Sequence, residues 1–217
     1  MLELPVVDDG IVFDRQSMQA EAIREQLDDE GLRVRILAHL GEAQIPMQLD
    51  LGLGDAIHPA PLDRRYPPLL DLPAPEIRVY PHEAVVAEKF HAVVVLGEVN
   101  SRFKDFHDLF VLARDVRFDG ATLAASVRAT FQRRGTPIMD ERPAALESSF
   151  HADARRGDQW RSFLNRTGAE RLPTEFREVG ELLRRFLAPL RESAGSGDAT
   201  VATLWPPRGP WTIPTAP

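Results

Sequence analysis

The stretch Val34-Arg35-Ile36-Leu37-Ala38-His39-Leu40-Gly41-Glu42-Ala43-Gln44-Ile45-Pro46-Met47-Gln48-Leu49-Asp50-Leu51 decides the fold. Val34, Ile36, Ala38 and Leu40 alternate with Arg33, Arg35, Leu37 and His39, the period of two that a half-buried strand requires. Gly41-Glu42-Ala43-Gln44 turns the chain. The return strand then places Ile45, Met47, Leu49 and Leu51 on one face and Pro46, Gln48, Asp50 and Gly52 on the other. A β-hairpin follows, and it points Asp50 away from the core.

Upstream of the hairpin, residues 17–29 read as a helix, with Ser17 as N-cap, Met18, Ala22, Ile23 and Leu27 at spacings of three and four, and Gly31 as terminator. Downstream, Pro59 to Pro75 reads as a proline-rich loop with a short apolar piece at Leu69-Leu70, and Ile77 to Tyr80 as a short strand ended by Pro81. A helix should run from there through Leu96 with Gly97 just past its end, and a second, capped by Asn100 or Ser101, through Arg114. Phe103, Phe106, Leu109, Phe110 and Ala113 form the inner face of the second helix. Further helices are expected at 120–134 and 174–190, with another around 143–165. Beyond Ser193 the Gly, Pro, Thr and Ala content predicts a disordered or loosely docked tail. The fold class is α+β, with α/β as the alternative.

The chain has 217 residues, 43% of them hydrophobic, a net charge of −7 and no cysteine. That length suits one domain, alone or with an appendage. Lacking cysteine, the sequence has no disulfide framework or thiolate ligand set, so His, Asp and Glu are its strong metal ligands. Residues 1–32 hold nine acidic side chains against Arg15 and Arg24, which accounts for the whole net charge. Everything after residue 32 is therefore neutral overall and leaves room for a local basic surface facing phosphate or RNA. The longest apolar run, Ala92 to Leu96, is too short to span a bilayer, and no targeting segment is visible. The cytoplasm is the expected compartment.

Three elements carry candidate chemistry. Lys89 has Val85, Val86, Ala92 and Val93 at helical spacings of three and four, which places an ammonium on or beside an apolar face. Such a charge must meet a carboxylate or a bound anion, or snorkel at the edge of the face. Lys104-Asp105-Phe106-His107-Asp108-Leu109 sets Asp105 and Asp108 three apart on one helix face, with Lys104 one turn before Asp108. Asp50 is a carboxylate on the outward face of a paired strand, the rigid placement that metal-assisted phosphoryl chemistry needs. Gly52 and Gly54 beside it make no phosphate loop.

In order, Met47-Gln48-Leu49-Asp50-Leu51-Gly52-Leu53-Gly54-Asp55, Tyr80-Pro81-His82-Glu83 through Ala87-Glu88-Lys89-Phe90-His91-Ala92, Asn100-Ser101-Arg102-Phe103-Lys104-Asp105-Phe106-His107-Asp108-Leu109 and Thr130-Phe131-Gln132-Arg133-Arg134-Gly135-Thr136 resemble the successive motifs of the AbiEii/AbiGii toxin family, within the nucleotidyltransferase-like superfamily. The resemblance covers the chain from about Asp8 to about Leu190. It implies a small mixed sheet followed by a mainly helical C-terminal half, with residues 1–115 as a partial nucleotidyltransferase-like core, 116–193 as a helical region and 194–217 as the tail. It implies a nucleotidyltransferase toxin of a toxin–antitoxin or abortive-infection module acting in phage defence. Such a toxin would use Mg²⁺ and an NTP, GTP or another, and modify tRNA or another RNA; its partner would be a cognate antitoxin. By the same resemblance Lys89 would grip the triphosphate, Asp50 would be a catalytic, metal-binding carboxylate, and Lys104, Asp105 and Asp108 would line the nucleotide pocket. Arg133 and Arg134 would contact phosphates.

The superfamily's Gly-Ser followed by a carboxylate-x-carboxylate strand has no counterpart here: Asp8 and Asp9 are adjacent, and Gly195-Ser196 lies in the tail. The chain therefore reads as an N-terminally incomplete member, and a non-catalytic nucleotide- or partner-binding remnant is the alternative. A helical phosphohydrolase built on His91, His107-Asp108 and His151 matches no defined ligand spacing. A restriction-type nuclease needs a strand with a carboxylate, one residue and a lysine, whereas Glu88 and Lys89 are adjacent and helical.

Overall fold

The computed structural model describes residues 8–25, 29–52, 54, 57–71, 73–138, 143–169, 171–196 and 204–212. The chain divides into two compact units, Met1–Asp55 and Ala56–Pro217. The α+β class holds, with small sheets whose strands all pair antiparallel.

The first unit is a three-stranded sheet of β1 (Ile11–Glu25), β2 (Asp29–Leu40) and β3 (Ala43–Gly52) in the order β1-β2-β3. The hairpin forms as expected but with a tighter turn: Ala43 and Gln44 already belong to the strand, and Leu40 pairs with Ala43 around Gly41, whose φ of 58° suits a glycine in a tight turn. Ile36 and Ala38 of the central strand are buried and Asp50 is exposed, whereas Leu40, Ile45, Met47 and Leu51 of the expected apolar faces are exposed in this unit.

The expected helix at 17–29 is instead the long strand β1. Helix propensity differs among these residues by only tenths of a kcal/mol each and yields to the ladder that β2 offers along this segment. Ser17 caps no helix; it sits at a register shift between Asp14 and Gln19, where its hydroxyl donates to the Asp14 carbonyl at 2.7 Å and accepts from the Leu37 amide at 2.8 Å. Gly31 ends no helix either. It pairs with Ile23, and a Cβ there would come within 2.8 Å of the Ile23 side chain. Leu27 lies outside the described residues. Asp8 and Asp9 accept from the Gly10 and Ile11 amides at 2.9 and 3.0 Å, turning the chain into β1.

The second unit begins with a small hairpin, β4 (Leu62–Arg65) against β5 (Glu76–Val79). The segment read as a proline-rich loop therefore contains a strand, whose edge position tolerates nearby prolines. Helices α1 (His82–Leu96), α2 (Phe103–Asp115), α3 (Gly120–Arg133), α4 (Ser148–Ala152), α5 (Ala154–Thr167) and α6 (Phe176–Ser196) build its core, with the short strands β6 (Phe118–Asp119) and β7 (Leu204–Trp205) paired beside them. Phe90, Phe106, Leu109, Phe131, Trp160, Leu183 and Phe186 are fully enclosed at its centre.

Three expectations change here. Arg102 occupies the α2 cap position, while Asn100 accepts from the Arg102 amide through its own side chain at 2.9 Å. The helix expected at 143–165 is broken by Asp153, which caps α5 by accepting from the Arg156 amide. Residues 204–212, in the segment read as a disordered or loosely docked tail, are packed: Trp205 is fully buried and donates to the Ala113 carbonyl at 2.7 Å. Asp119 caps α3, accepting from the Thr122 amide at 2.8 Å and its hydroxyl at 2.7 Å. Asp119→Ala is expected to cost about 1 kcal/mol, read as a lower urea midpoint at unchanged slope.

Candidate functional site

Helix α1 is apolar almost all round, burying Ala84, Val86, Ala87, Phe90, His91, Ala92 and Val93. Lys89 is half-buried among them and cannot reach bulk water fully, so its charge is met inside the unit. The partner is α2, whose buried stripe of Phe103, Phe106, Leu109, Phe110 and Ala113 seats the helix and carries Asp105 and Asp108 one turn apart beside it.

Lys89 Nζ donates to Asp105 Oδ1 at 2.9 Å and lies 2.8 Å from Asp108 Oδ2. Asp105 is the more enclosed carboxylate, its side chain 6% exposed against 26% for Asp108. Each carboxylate has a second partner. Arg102 Nε is 3.0 Å from Asp105 Oδ2, and His107 Nδ1 is 2.7 Å from Asp108 Oδ1. The result is a chain of paired groups, Arg102–Asp105–Lys89–Asp108–His107, in which the central ammonium has spent two of its three donors.

Burial opposes the Lys89 charge, but the hydrogen bonds to Asp108 and Asp105 outweigh it and hold the pKa above the ordinary lysine value. Burial likewise pushes Asp108 up, and its bonds to Lys89 and His107 overcome that and leave it below the usual carboxylate range. Both members of the pair are thus fixed in their charged forms.

Not every expected residue joins this cluster. Lys104 is exposed and makes no ion pair among the described residues. Asp50 belongs to the other unit, where Arg33 grips both its oxygens at 2.8 and 2.9 Å; that hydrogen bond is the main cause of its lowered pKa. Arg133 is exposed, whereas Arg134 approaches the buried His91 ring, its Nη1 3.4 Å from Nδ1, and His91 Nε2 meets the Thr136 hydroxyl at 2.8 Å. Arg102 and the His107 pairing were not picked out from the sequence. The signal for Arg102 was its position three residues before Asp105 on what becomes one helix face.

His91 and His151 are both buried, and burial lowers each pKa to about 4 from 6.5. The unfolded chain protonates near 6.5 while the folded one stays neutral, so stability is full above pH 6.5 and falls as the pH drops from there toward 4. The loss should reach about 1–3 kcal/mol per histidine, read by urea denaturation across that range.

No group of three or more His, Asp or Glu side chains is placed to hold a metal ion among the described residues. Asp105 Oδ1 and both Asp108 oxygens face Lys89 or His107, Asp105 Oδ2 has an ion pair with Arg102 but no hydrogen bond, and Arg33 holds both Asp50 oxygens. Nor is any helix among the described residues long and apolar enough to cross a membrane.

Residues 2–184 match the family model described as Nucleotidyl transferase AbiEii toxin, Type IV TA system. No curated protein and no solved structure matches the chain.

Proposed function

The chain belongs to the AbiEii nucleotidyl transferase toxin family of type IV toxin–antitoxin systems, and from that premise we propose that it transfers a nucleotide from an NTP to RNA, with tRNA as the acceptor and Lys89 gripping the triphosphate. The observation that carries this reading is the clamp of Asp105 and Asp108 on Lys89. It holds an ammonium charged at a fixed place and, among the described residues, leaves one of its three donors for a phosphate oxygen. Asp105 and Asp108 act here as positioning residues. Arg102 is a second cation at the same place.

The family generally uses Mg²⁺ with its NTP, and the three-carboxylate set such an ion needs is not assembled among the described residues. Asp50 would serve as a metal ligand only after Arg33 releases it. This supports a second reading, a nucleotide- or partner-binding role without transfer. The family implies an antitoxin as the protein partner in either case, with the cytoplasm as the place of action and phage defence as the setting.

Label transfer from α-³²P NTPs to total tRNA with Mg²⁺ separates the two. Transfer by the chain, reduced about 100-fold or more in Lys89→Ala when each protein is assayed well below its unfolding midpoint, is the expected result. Saturable NTP binding without labelled RNA selects the binding role. Undiminished transfer by Lys89→Ala removes Lys89 from the chemistry.

A further inference from the structure

Arginines that face carboxylates in this chain differ in how their guanidiniums are used. Arg33 donates to both Asp50 oxygens, at 2.8 and 2.9 Å, and Arg114 to both Asp115 oxygens, at 2.7 and 2.6 Å. Each of those forks is spent on its carboxylate. Arg102 is different. Its Nε lies 3.0 Å from Asp105 Oδ2, yet that oxygen accepts no hydrogen bond, and the Arg102 side chain donates none among the described residues. Charge keeps the guanidinium at the cluster while its N–H donors stay open to solvent and to a ligand.

The position of those donors says what they can hold. Lys89 Nζ is 2.9 Å from Asp105 Oδ1, so ammonium and guanidinium sit on the two oxygens of one carboxyl group. The Asp105 side chain is 6% exposed and that of Arg102 55%, so the carboxylate lies beneath and the guanidinium above it. An arriving anion meets the fork before it meets Asp105. Lys104, two residues on, is exposed and adds a third positive charge, while the opposing carboxylates, Asp105 and Asp108, are both engaged by Lys89. A single phosphate suffices for the remaining Lys89 donor. A planar fork on the other side of Asp105 suits a second phosphate joined to the first.

We propose that Arg102 is the second phosphate-binding residue of the Lys89 site, its guanidinium fork holding the phosphate next to the one that Lys89 grips, so that the site selects nucleoside triphosphates over monophosphates. The proposal rests on Lys89 being the residue that grips the triphosphate.

The test is equilibrium dialysis of the full chain against each radiolabelled NTP, without RNA, with the affinity for the matching NMP read by competition. Arg102→Ala should weaken NTP binding about tenfold or more and leave NMP binding unchanged. Arg102→Lys keeps a cation beside Asp105, and with it the fold, but should recover only part of the lost affinity because the fork is gone. Equal losses for NTP and NMP would make Arg102 a support for the seating of Lys89 and overturn the proposal. Undiminished NTP binding in Arg102→Ala, or full recovery in Arg102→Lys, overturns it too. Lys89→Ala keeps the two readings apart: NTP binding that needs Lys89 but not Arg102 removes Arg102 alone, and no saturable NTP binding by the unaltered chain removes both. Arg102-dependent NTP binding by a chain that labels no tRNA upholds this proposal and removes the transfer step.

Discussion

Lys89→Ala is expected to lower the unfolding free energy by about 3–5 kcal/mol, because it strands two carboxylates in a site shaped around one ammonium. Asp105 is nearly enclosed and Asp108 only a quarter exposed, and both lie within 3 Å of the nitrogen that the substitution removes. Arg102 and His107 still hold one oxygen of each carboxylate, which should bring the loss toward the lower end. The triple variant Lys89→Met/Asp105→Leu/Asp108→Leu should recover much of the stability, since it removes the stranded carboxylates and the groups that lose a partner, Arg102 and His107, keep access to water. Urea denaturation of the three proteins at neutral pH decides this. A cost below about 1 kcal/mol for Lys89→Ala would mean that apolar packing alone seats α1 on α2.

Acid gives an independent reading of the same cluster. The folded Asp108 carboxyl lies below its ordinary 3.8, so its contribution is present above that value and disappears as the pH falls through its folded pKa. In Lys89→Ala the carboxylates have lost their cation, and protonating them relieves repulsion. The stability gap between the two proteins should therefore narrow as the pH approaches 3.8 and below.

What the sequence made legible follows from the range of the interactions involved. The β2–β3 hairpin, α1, α2 and the demand that Lys89 find a carboxylate or an anion, or snorkel, were readable because strand alternation, a tight turn and helical spacing are local. The mistaken helix at 17–29 arose where local preference and a distant partner disagree: Met18, Ala20, Glu21 and Ala22 favour helix, and only β2 converts them to strand. That Asp105 and Asp108 share a helix face could be read from spacing, whereas that α1 presents Lys89 to that face is a tertiary fact. Arg33's hold on Asp50 depends on cross-strand register, which alternation alone implied without naming the pair. The order of residues 204–212 was hidden for another reason. Proline and glycine content describes how a segment behaves alone, and two tryptophans outweigh it once a pocket exists for them.

Trp205→Ala should be among the most damaging single changes, at about 3–5 kcal/mol, measured by urea unfolding of the full chain. The ring is fully buried, 4.9 Å from Phe186 and 5.3 Å from Trp211, and a Cβ on Gly209 would come within 2.4 Å of it. Trp211 adds a stacked contact with Phe186 at 5.9 Å and donates to the Phe186 carbonyl at 3.0 Å, so the two indoles clamp α6 from the side of the core. Trp205→Phe separates packing from hydrogen bonding. It removes the donor to the Ala113 carbonyl, but the Arg208 amide also reaches that oxygen, at 3.2 Å. The acceptor is not orphaned, and the phenylalanine variant should cost about 1–2 kcal/mol, mainly from lost volume. Ending the chain at residue 196 should cost at least as much as Trp205→Ala, since it uncovers Phe186 and removes the strand that pairs with Phe118. If truncation and Trp205→Ala both left the midpoint unchanged, the C-terminal segment would be an ornament on a core complete without it; a shared large loss makes it the last layer of that core.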